Sequence, residues 1–129
     1  MTKLVVDSWA WMEYFEGSPV GGRVRDKIID ERNEVFTHVV SIAQIVSKVR
    51  RRGKDVDTAW KAITTISKIT KLDEIDSKEA GLLHAKIKSK NPNFGLADAF
   101  FLSAARKLKA KVLTGDPDFK GMDDAIFVS

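Results

Sequence analysis

Short apolar runs alternate with longer stretches of helical periodicity along this chain. Leu4–Val6 is a continuous apolar run of the kind that is buried on both faces of a sheet, and Lys111–Thr114 is a second strand candidate near the other end. The segments between such runs are long enough for the helical crossovers that parallel strands need. The alternation therefore predicts an α/β sandwich, in which a central parallel sheet carries helices on both faces.

Turn residues and capping patterns predict where each element begins and ends. The spacing of Ser41 and Gln44 is that of a capping box, so a helix is predicted to begin at Ser41. Strands are predicted at Leu4–Val6, Glu34–Val40, Leu72–Ile75, Lys111–Thr114 and Ile126–Val128. Helices are predicted from Trp9 to Phe15, from Pro19 to about Arg32, from Ser41 to near Gly53, from Asp55 or Asp57 onwards, from Asp76 to before Asn91, and from Leu96 to about Lys109.

Composition excludes several classes of protein and of site. The 129 residues, of which 43% are hydrophobic, are predicted to form one domain spanning residues 1–129. There is no cysteine, which excludes disulfides and thiolate chemistry, and His38 and His84 lack the spacing of metal ligands or of a catalytic triad. Any metal would therefore be held by oxygen. No apolar run is long enough to cross a membrane and the start lacks a signal-peptide pattern, so a cytoplasmic location without a membrane partner is expected.

The charge balance gives a modest indication of a polyanionic partner. The formal net charge is +4, and basic residues are concentrated in the segment 48–54 at the predicted end of a helix. Such residues can contact RNA phosphates, but they also complement the dipole at a helix end. Both interpretations remain open.

Three aspartates are predicted to meet at the carboxyl edge of the sheet. Asp7 directly follows the first strand, and Asp116 follows the strand Lys111–Thr114 by two residues. Asp98 lies in the first turn of a helix that must run antiparallel to that strand, which brings it to the same edge. Each has an alternative local role, because aspartate caps helices, starts turns and suits first helical turns.

Three carboxylates at one edge require a cation. Their mutual repulsion is on the order of 4 kcal/mol for a pair about 4 Å apart at an effective dielectric constant near 20. A divalent ion with oxygen ligands removes this penalty, and Mg²⁺ or Mn²⁺ is the expected choice. An open, acid-held ion suits the hydrolysis of phosphodiesters by a metal-activated water.

Four segments together resemble the PIN-domain nucleases in order and spacing. These segments are Asp7-Ser8 after an apolar strand, Ser41 to Ile45, Leu96 to Ala99, and Thr114 to Phe119. The likeness runs from Leu4 to about Phe119, and the small size and the basic helix end look most like the VapC-type toxins of toxin-antitoxin pairs.

The resemblance implies a PIN-like α/β/α sandwich and an endoribonuclease that depends on Mg²⁺ or Mn²⁺. It implies that Asp7, Asp98 and Asp116 are metal ligands, and that Ser8 or Thr114 supports them through hydrogen bonds. It also implies RNA as substrate, a homodimer, and an antitoxin that covers the acidic site.

One position departs from the resemblance. The family usually has a glutamate where this chain has Gln44, and a neutral amide is a weaker ligand for a hard cation. Asp118 is expected to supply the missing charge, with Glu13 as a more distant candidate. The alternatives are a weakened or inactive PIN-fold binding module, or an RNA-processing nuclease that is not a toxin. A receiver-type phosphoryl-transfer protein is less favoured, because no lysine follows an apolar strand.

Overall fold

The computed structural model describes residues 2–129, in which five parallel strands form one sheet. The strands follow the order β3-β2-β1-β4-β5 across the sheet, so the first strand lies at its centre. The elements in chain order are β1 (Thr2–Val6), α1 (Ser8–Glu16), α2 (Pro19–Ile28), β2 (Asn33–His38), α3 (Val39–Arg51), α4 (Val56–Ile66), β3 (Lys68–Thr70), α5 (Glu74–Lys88), α6 (Leu96–Leu108), β4 (Lys111–Thr114), a 3₁₀ turn (Pro117–Phe119) and β5 (Ala125–Phe127).

The alternation of side chains along β1 divides the core into two layers. Leu4 and Val6 pack with helices α1 to α4 on one face, whereas Val5 packs with α6 on the other face. All three side chains are fully buried, as expected for a central strand of a parallel sheet. The α/β/α sandwich predicted from the sequence is confirmed.

Helix α3 begins two residues earlier than the sequence predicts. The Nδ1 atom of His38 accepts a hydrogen bond from the Val40 N–H at 3.0 Å and caps the helix. Val39 and Val40 are therefore helical, although β-branched residues favour strands. The predicted capping box of Ser41 and Gln44 is wrong, because Ser41 lies inside the first turn and its buried Oγ has no hydrogen-bond partner within residues 2–129.

The third strand does not lie at the predicted position. Leu72–Ile75 forms a loop and the start of α5, whereas the strand is Lys68–Thr70. This edge strand is defined by its pairing with β2, in which Thr37 lies opposite Ile69. Helix α2 also ends earlier than predicted, at Ile28, since residues 30–32 form a turn before β2.

The start of α5 differs from the predicted one for a local reason. Asp73 caps the helix by accepting the Asp76 N–H at 2.8 Å, so that Asp76 occupies the third helical position. The predicted ends of α1 and α6, the strand β4 and the final edge strand agree with the structure to within one or two residues. No helix within residues 2–129 combines the length and hydropathy that a bilayer span requires.

Candidate metal centre

The order of the strands places Asp7 beside the end of β4. Strands β1 and β4 are parallel neighbours, and the Asp7 N–H donates to the Leu113 carbonyl at 3.2 Å. The side chain of Asp7 is 2% exposed, and its Oδ1 accepts the Ala10 N–H at 2.8 Å as the cap of α1. Asp7 thus combines a capping role with burial at the sheet edge.

The other two predicted aspartates also fix the backbone around them. Asp98 Oδ2 accepts the Gly95 N–H at 3.3 Å at the start of α6. Asp116 Oδ1 accepts the Asp118 N–H at 2.9 Å and caps the 3₁₀ turn. The Thr114 hydroxyl accepts the Asp116 N–H at 2.9 Å, which ties the end of β4 to this turn.

Three of the carboxylates form a compact group. Asp98, Asp116 and Asp118 each offer an oxygen that lies within 4.8 Å of the other two. Asp7 is outside this group of three, but the charges of Asp98 and Asp116 act on it. The structure therefore brings Asp98 and Asp116 together with Asp118, and Asp7 lies near enough to Asp98 and Asp116 for their charges to raise its pKa.

Burial and mutual repulsion raise the pKa of these carboxyl groups. Burial raises the pKa of Asp7 to about 7, the Thr114 hydroxyl and the Ala10 N–H oppose the rise, and the charges of Asp98 and Asp116 add to it. Burial and the charge of Asp116 raise the pKa of Asp98 to about 6. Burial, followed by the charge of Asp116, also raises the pKa of Asp118. The site is therefore short of positive charge.

No salt bridge within residues 2–129 reaches these carboxylates, and His84 acts on Asp98 only at a distance. The five salt bridges of the described chain involve other acids, namely Asp30, Glu16, Glu34, Asp124 and Asp76. Unpaired ionised carboxylates are costly at partly buried positions. A hard divalent cation with carboxylate ligands fits this donor set, because it supplies the missing charge and prefers oxygen.

A glycine between Thr114 and Asp116 allows the turn to pack tightly. A Cβ atom at Gly115 would collide with the Trp9 ring and would lie 2.6 Å from the Val128 carbonyl oxygen. The indole of Trp9, two residues after Asp7, therefore packs against the backbone that carries Asp116. This contact couples the start of α1 to the turn after β4.

We expect Gly115→Ala to lower the free energy of unfolding by about 1–3 kcal/mol, because neither the Trp9 ring nor the Val128 backbone can accommodate the methyl group without a shift. Denaturant titration measures the change. Gly22→Ala in α2 is the matched control, since a Cβ there meets nothing within 4 Å and alanine favours the helix. Equal stability of the two variants would contradict the prediction.

The supporting residues predicted from the sequence occupy different surroundings. Ser8 is the first residue of α1 and is 6% exposed. Gln44 lies on α3, and its buried Oε1 has no hydrogen-bond partner in the described chain. Glu13 accepts a hydrogen bond from the Ser18 hydroxyl at 2.7 Å and is not part of the carboxylate group.

Sequence reasoning missed two neighbours of the site. The Asn91 side chain acts on Asp118 and lowers its pKa, and the charge of His84 lowers that of Asp98. His84 also contacts the Phe94 carbonyl at 3.0 Å through Nε2. The sequence indicates for Asn91 only the end of a helix before Pro92, since no pattern in it connects Asn91 with Asp118.

The fold is shared with solved structures of toxin-antitoxin proteins. A toxin-antitoxin complex from Klebsiella pneumoniae aligns with a TM-score of 0.74 at 14% identity, covering 98% of this chain and 96% of that chain. VapC20 of Mycobacterium tuberculosis, described as a toxin that cleaves the sarcin-ricin loop, aligns with a TM-score of 0.76 at 13% identity, covering 98% and 99%. VapBC2 of Rickettsia felis, solved with a DNA fragment from its promoter, gives a TM-score of 0.74 at 14% identity, covering 98% and 97%.

Comparison at the level of sequence gives a family. No curated protein matches the chain. The PIN domain family matches residues 4–125, which include all four aspartates of the site. The family match, the parallel sheet and the structural neighbours agree, and the chain belongs to the PIN domain family.

Proposed function

We propose that this protein is an endoribonuclease that depends on Mg²⁺ or Mn²⁺ and serves as the toxin of a VapBC-type toxin-antitoxin pair. The observation that carries the proposal is the group of carboxylates at the carboxyl edge of the sheet, which no salt bridge within residues 2–129 neutralises. Such a group binds a divalent cation and a phosphodiester together, since the cation also neutralises the phosphate.

Asp7, Asp98 and Asp116 are the proposed ligands, and Asp118 is the proposed source of additional negative charge. When bound, the metal activates water and neutralises charge on the phosphate during hydrolysis. The chain positions the ligands through backbone hydrogen bonds from Ala10, Gly95 and Asp118. These bonds hold the carboxylates before substrate arrives, which reduces the cost of ordering the site.

The Thr114 hydroxyl has a supporting role in this proposal. It accepts the Asp116 N–H and lies close enough to Asp7 to lower the pKa of that carboxyl group. Thr114 therefore favours the ionised form of Asp7 that a metal requires. Ser8, at the start of α1 beside Asp7, is the second proposed supporting hydroxyl.

RNA and an antitoxin are proposed as partners because of the structural neighbours. One neighbour is described as a toxin that cleaves the sarcin-ricin loop, and two others were solved as toxin-antitoxin assemblies. An antitoxin would inhibit this chain by placing a basic side chain among the carboxylates, where charge-assisted hydrogen bonds are strong. A homodimer is proposed from the resemblance to the VapC-type toxins.

Cleavage of a structured RNA tests the proposed activity directly. We expect cleavage by the purified full chain in Mn²⁺ or Mg²⁺, and loss of cleavage when EDTA removes the metal. Gel analysis of end-labelled RNA gives the rate and the position of the cut. Equal cleavage in Mn²⁺ and in EDTA would overturn metal dependence, and intact RNA in both would overturn the nuclease.

Gln44 supports a second candidate function, a PIN-fold binding module with weakened or absent catalysis. Its amide is neutral, and its buried Oε1 has no hydrogen-bond partner in the described chain. If the nuclease proposal is correct, we expect Gln44→Glu to tighten Mn²⁺ binding, measured by calorimetry, by about 10-fold or more, because a charged oxygen replaces a neutral one. Gln44→Leu controls for removal of the amide.

The outcomes separate the two candidates. Increased RNA cleavage by Gln44→Glu favours a nuclease of reduced metal affinity, whereas no cleavage by either protein favours the binding module. Unchanged Mn²⁺ affinity in Gln44→Glu would show that this position does not face the metal. An RNA-processing role in place of a toxin is distinguished by expression in a host, where a toxin arrests growth.

A further inference from the structure

A cavity of about 390 Å³ lies beside the edge strand β3, away from the carboxylate group. Its walls are mainly apolar and come from β2, β3, α5 and α6, with Phe36 and Phe100 as the aromatic members. Its volume and apolar lining fall within the usual range for small-molecule sites. The carboxylates do not line it, so it requires a separate explanation.

The register of the sheet connects this cavity to the proposed metal centre. Val5 lies opposite Phe36, and continuing that parallel register by two residues places Asp7 level with His38. His38 in turn lies opposite Thr70 on the edge strand. Because neighbouring strands are about 5 Å apart, the row from Asp7 to Thr70 spans about 10 Å along one sheet edge.

Helix α6 contributes to both places with different sides. Asp98 lies in its first turn, whereas the row of Phe100, Ser103, Ala104 and Lys107 lines the cavity. Asp98 and Phe100 are two residues apart and do not share a face of the helix, so the edge of the sheet is the link between the two places. The row of about 10 Å from Asp7 to Thr70 brings the cavity within reach of the next unit of a chain bound at the carboxylates.

One polar group of the cavity lining lacks a protein partner. Because His38 Nδ1 accepts the Val40 N–H, the ring carries a proton on Nε2. That N–H donates to no residue of the described chain, so an acceptor atom of a ligand would satisfy it. Thr70 Oγ1 also has no partner there, but it has no exposed surface and a ligand meets it only after the side chain rotates towards the cavity.

The charge at the rim favours an anionic polymer. Lys68 pairs with Glu34 and Lys107 pairs with Asp76, each at 2.6 Å. Lys71 is exposed and forms no salt bridge within residues 2–129. The Lys71 ammonium group can pair with a phosphate while the apolar cavity holds the base attached to that phosphate.

We infer that this cavity binds an unpaired nucleobase of the RNA next to the cleaved phosphodiester and so sets sequence preference. The inference rests on the proposed function, because it assigns a second subsite of the same RNA. Unpaired bases are recognised by stacking on aromatic rings and by hydrogen bonds to the base edge. In this inference Phe100 supplies the ring, the His38 Nε2–H donates to the base edge, and the exposed Lys71 pairs with the phosphate backbone.

Titration with AMP, GMP, CMP and UMP tests the cavity independently of cleavage. Amide NMR spectra of the full chain in EDTA are expected to shift at His38, Lys71 and Phe100 with at least one nucleotide. Ala104→Phe fills the cavity, and Lys71→Ala removes the rim charge without altering the core. We expect each to weaken binding, the first by about 5- to 100-fold. Lys61→Ala, on the exposed side of α4, is the matched control and keeps the wild-type affinity.

Sequencing the cut ends of a random RNA pool tests the consequence for cleavage. We expect a base preference at one position beside the cut, and Ala104→Phe is expected to flatten it while Mn²⁺ affinity stays the same. If the nucleotides shift no amide signal of the cavity, the inference is overturned. It is also overturned if Ala104→Phe and Lys71→Ala both keep the wild-type base preference beside the cut. Either result leaves the proposed nuclease activity standing. Absence of cleavage by the wild type would overturn the proposed function, and the titration would still decide the cavity.

A protein occupant is the other outcome. If the nucleotides shift no cavity amide and Ala104→Phe alters the oligomeric state in sedimentation analysis, the cavity belongs to a subunit contact, which also overturns the inference. Should Ala104→Phe fail to fold, Lys71→Ala in the same titration decides the matter, because its side chain is exposed.

Discussion

Asp98→Asn is expected to reduce metal-dependent RNA cleavage by at least about 100-fold. Asparagine keeps the shape of the side chain and an oxygen that can accept the Gly95 N–H, so α6 retains its first turn. It removes one negative charge from the group of Asp98, Asp116 and Asp118, and with it a strong ligand for a hard cation. Initial rates in Mn²⁺ measure the effect.

The variant should lose activity without losing stability. Removing one of several carboxylates reduces the electrostatic repulsion among them in the metal-free protein. The free energy of unfolding of Asp98→Asn is therefore expected to match or exceed that of the wild type. Asp123→Asn is the matched control, because this aspartate is exposed and outside the carboxylate group. Full activity in Asp98→Asn would refute the proposed metal centre, and loss of fold in this variant would remove its value as a test.

The metal-free protein is expected to become less stable as the pH rises from about 4 to 8. Burial raises the pKa of Asp7 to about 7 from the ordinary 3.8, so the folded state binds a proton more tightly than the unfolded chain. Its stabilising contribution is complete below pH 4 and is lost as the pH rises through 7. Asp98, with a pKa of about 6, changes stability in the same direction.

Asp7→Asn removes the larger part of this dependence. The asparagine oxygen still accepts the Ala10 N–H, and no charge must be buried at high pH. At pH 8 in EDTA we expect the variant to be more stable than the wild type by about 2–4 kcal/mol, with little difference near pH 4. Urea titrations at both pH values measure this.

Saturating Mn²⁺ should reverse the order of the two proteins at pH 8. A ligand that binds only the folded state stabilises it, and the wild type keeps the carboxylate that the asparagine variant lacks. Asp123→Asn is again the control and should follow the wild-type pH profile. If Asp7→Asn showed the same slope against pH as the wild type, the buried Asp7 carboxyl would not be the group that titrates.

Much of the sheet was predictable because its strongest signals are local. The apolar run ending at Val6 and the strand Lys111–Thr114 are identified by residues within a few positions of each other. The edge strand Lys68–Thr70 was missed because it has a single apolar residue, and only its pairing with β2 makes it a strand. A short edge strand of this kind carries almost no pattern of its own.

The predicted start of α3 is wrong for the opposite reason, because the local sequence pattern there is misleading. Two consecutive valines favour a strand, and Ser41 with Gln44 has the spacing of a capping box. The His38 ring caps the helix instead, and histidine is not among the preferred capping residues. The contact between the His38 ring and the Val40 N–H therefore sets the start of α3, and the capping-box pattern does not encode this contact.

The sequence alone determined the alternation of strands and helices, and it placed acids directly after two strands and in the first turn of a helix, because periodicity and capping depend on near neighbours. Only the tertiary structure decided that β1 lies between β2 and β4, that Asp118 joins Asp98 and Asp116, and that Asp7 is buried. Strand pairing and the burial of charge depend on residues far apart in the chain. The raised pKa values and the cavity beside β3 have the same origin, since both result from side chains that only the folded chain brings together.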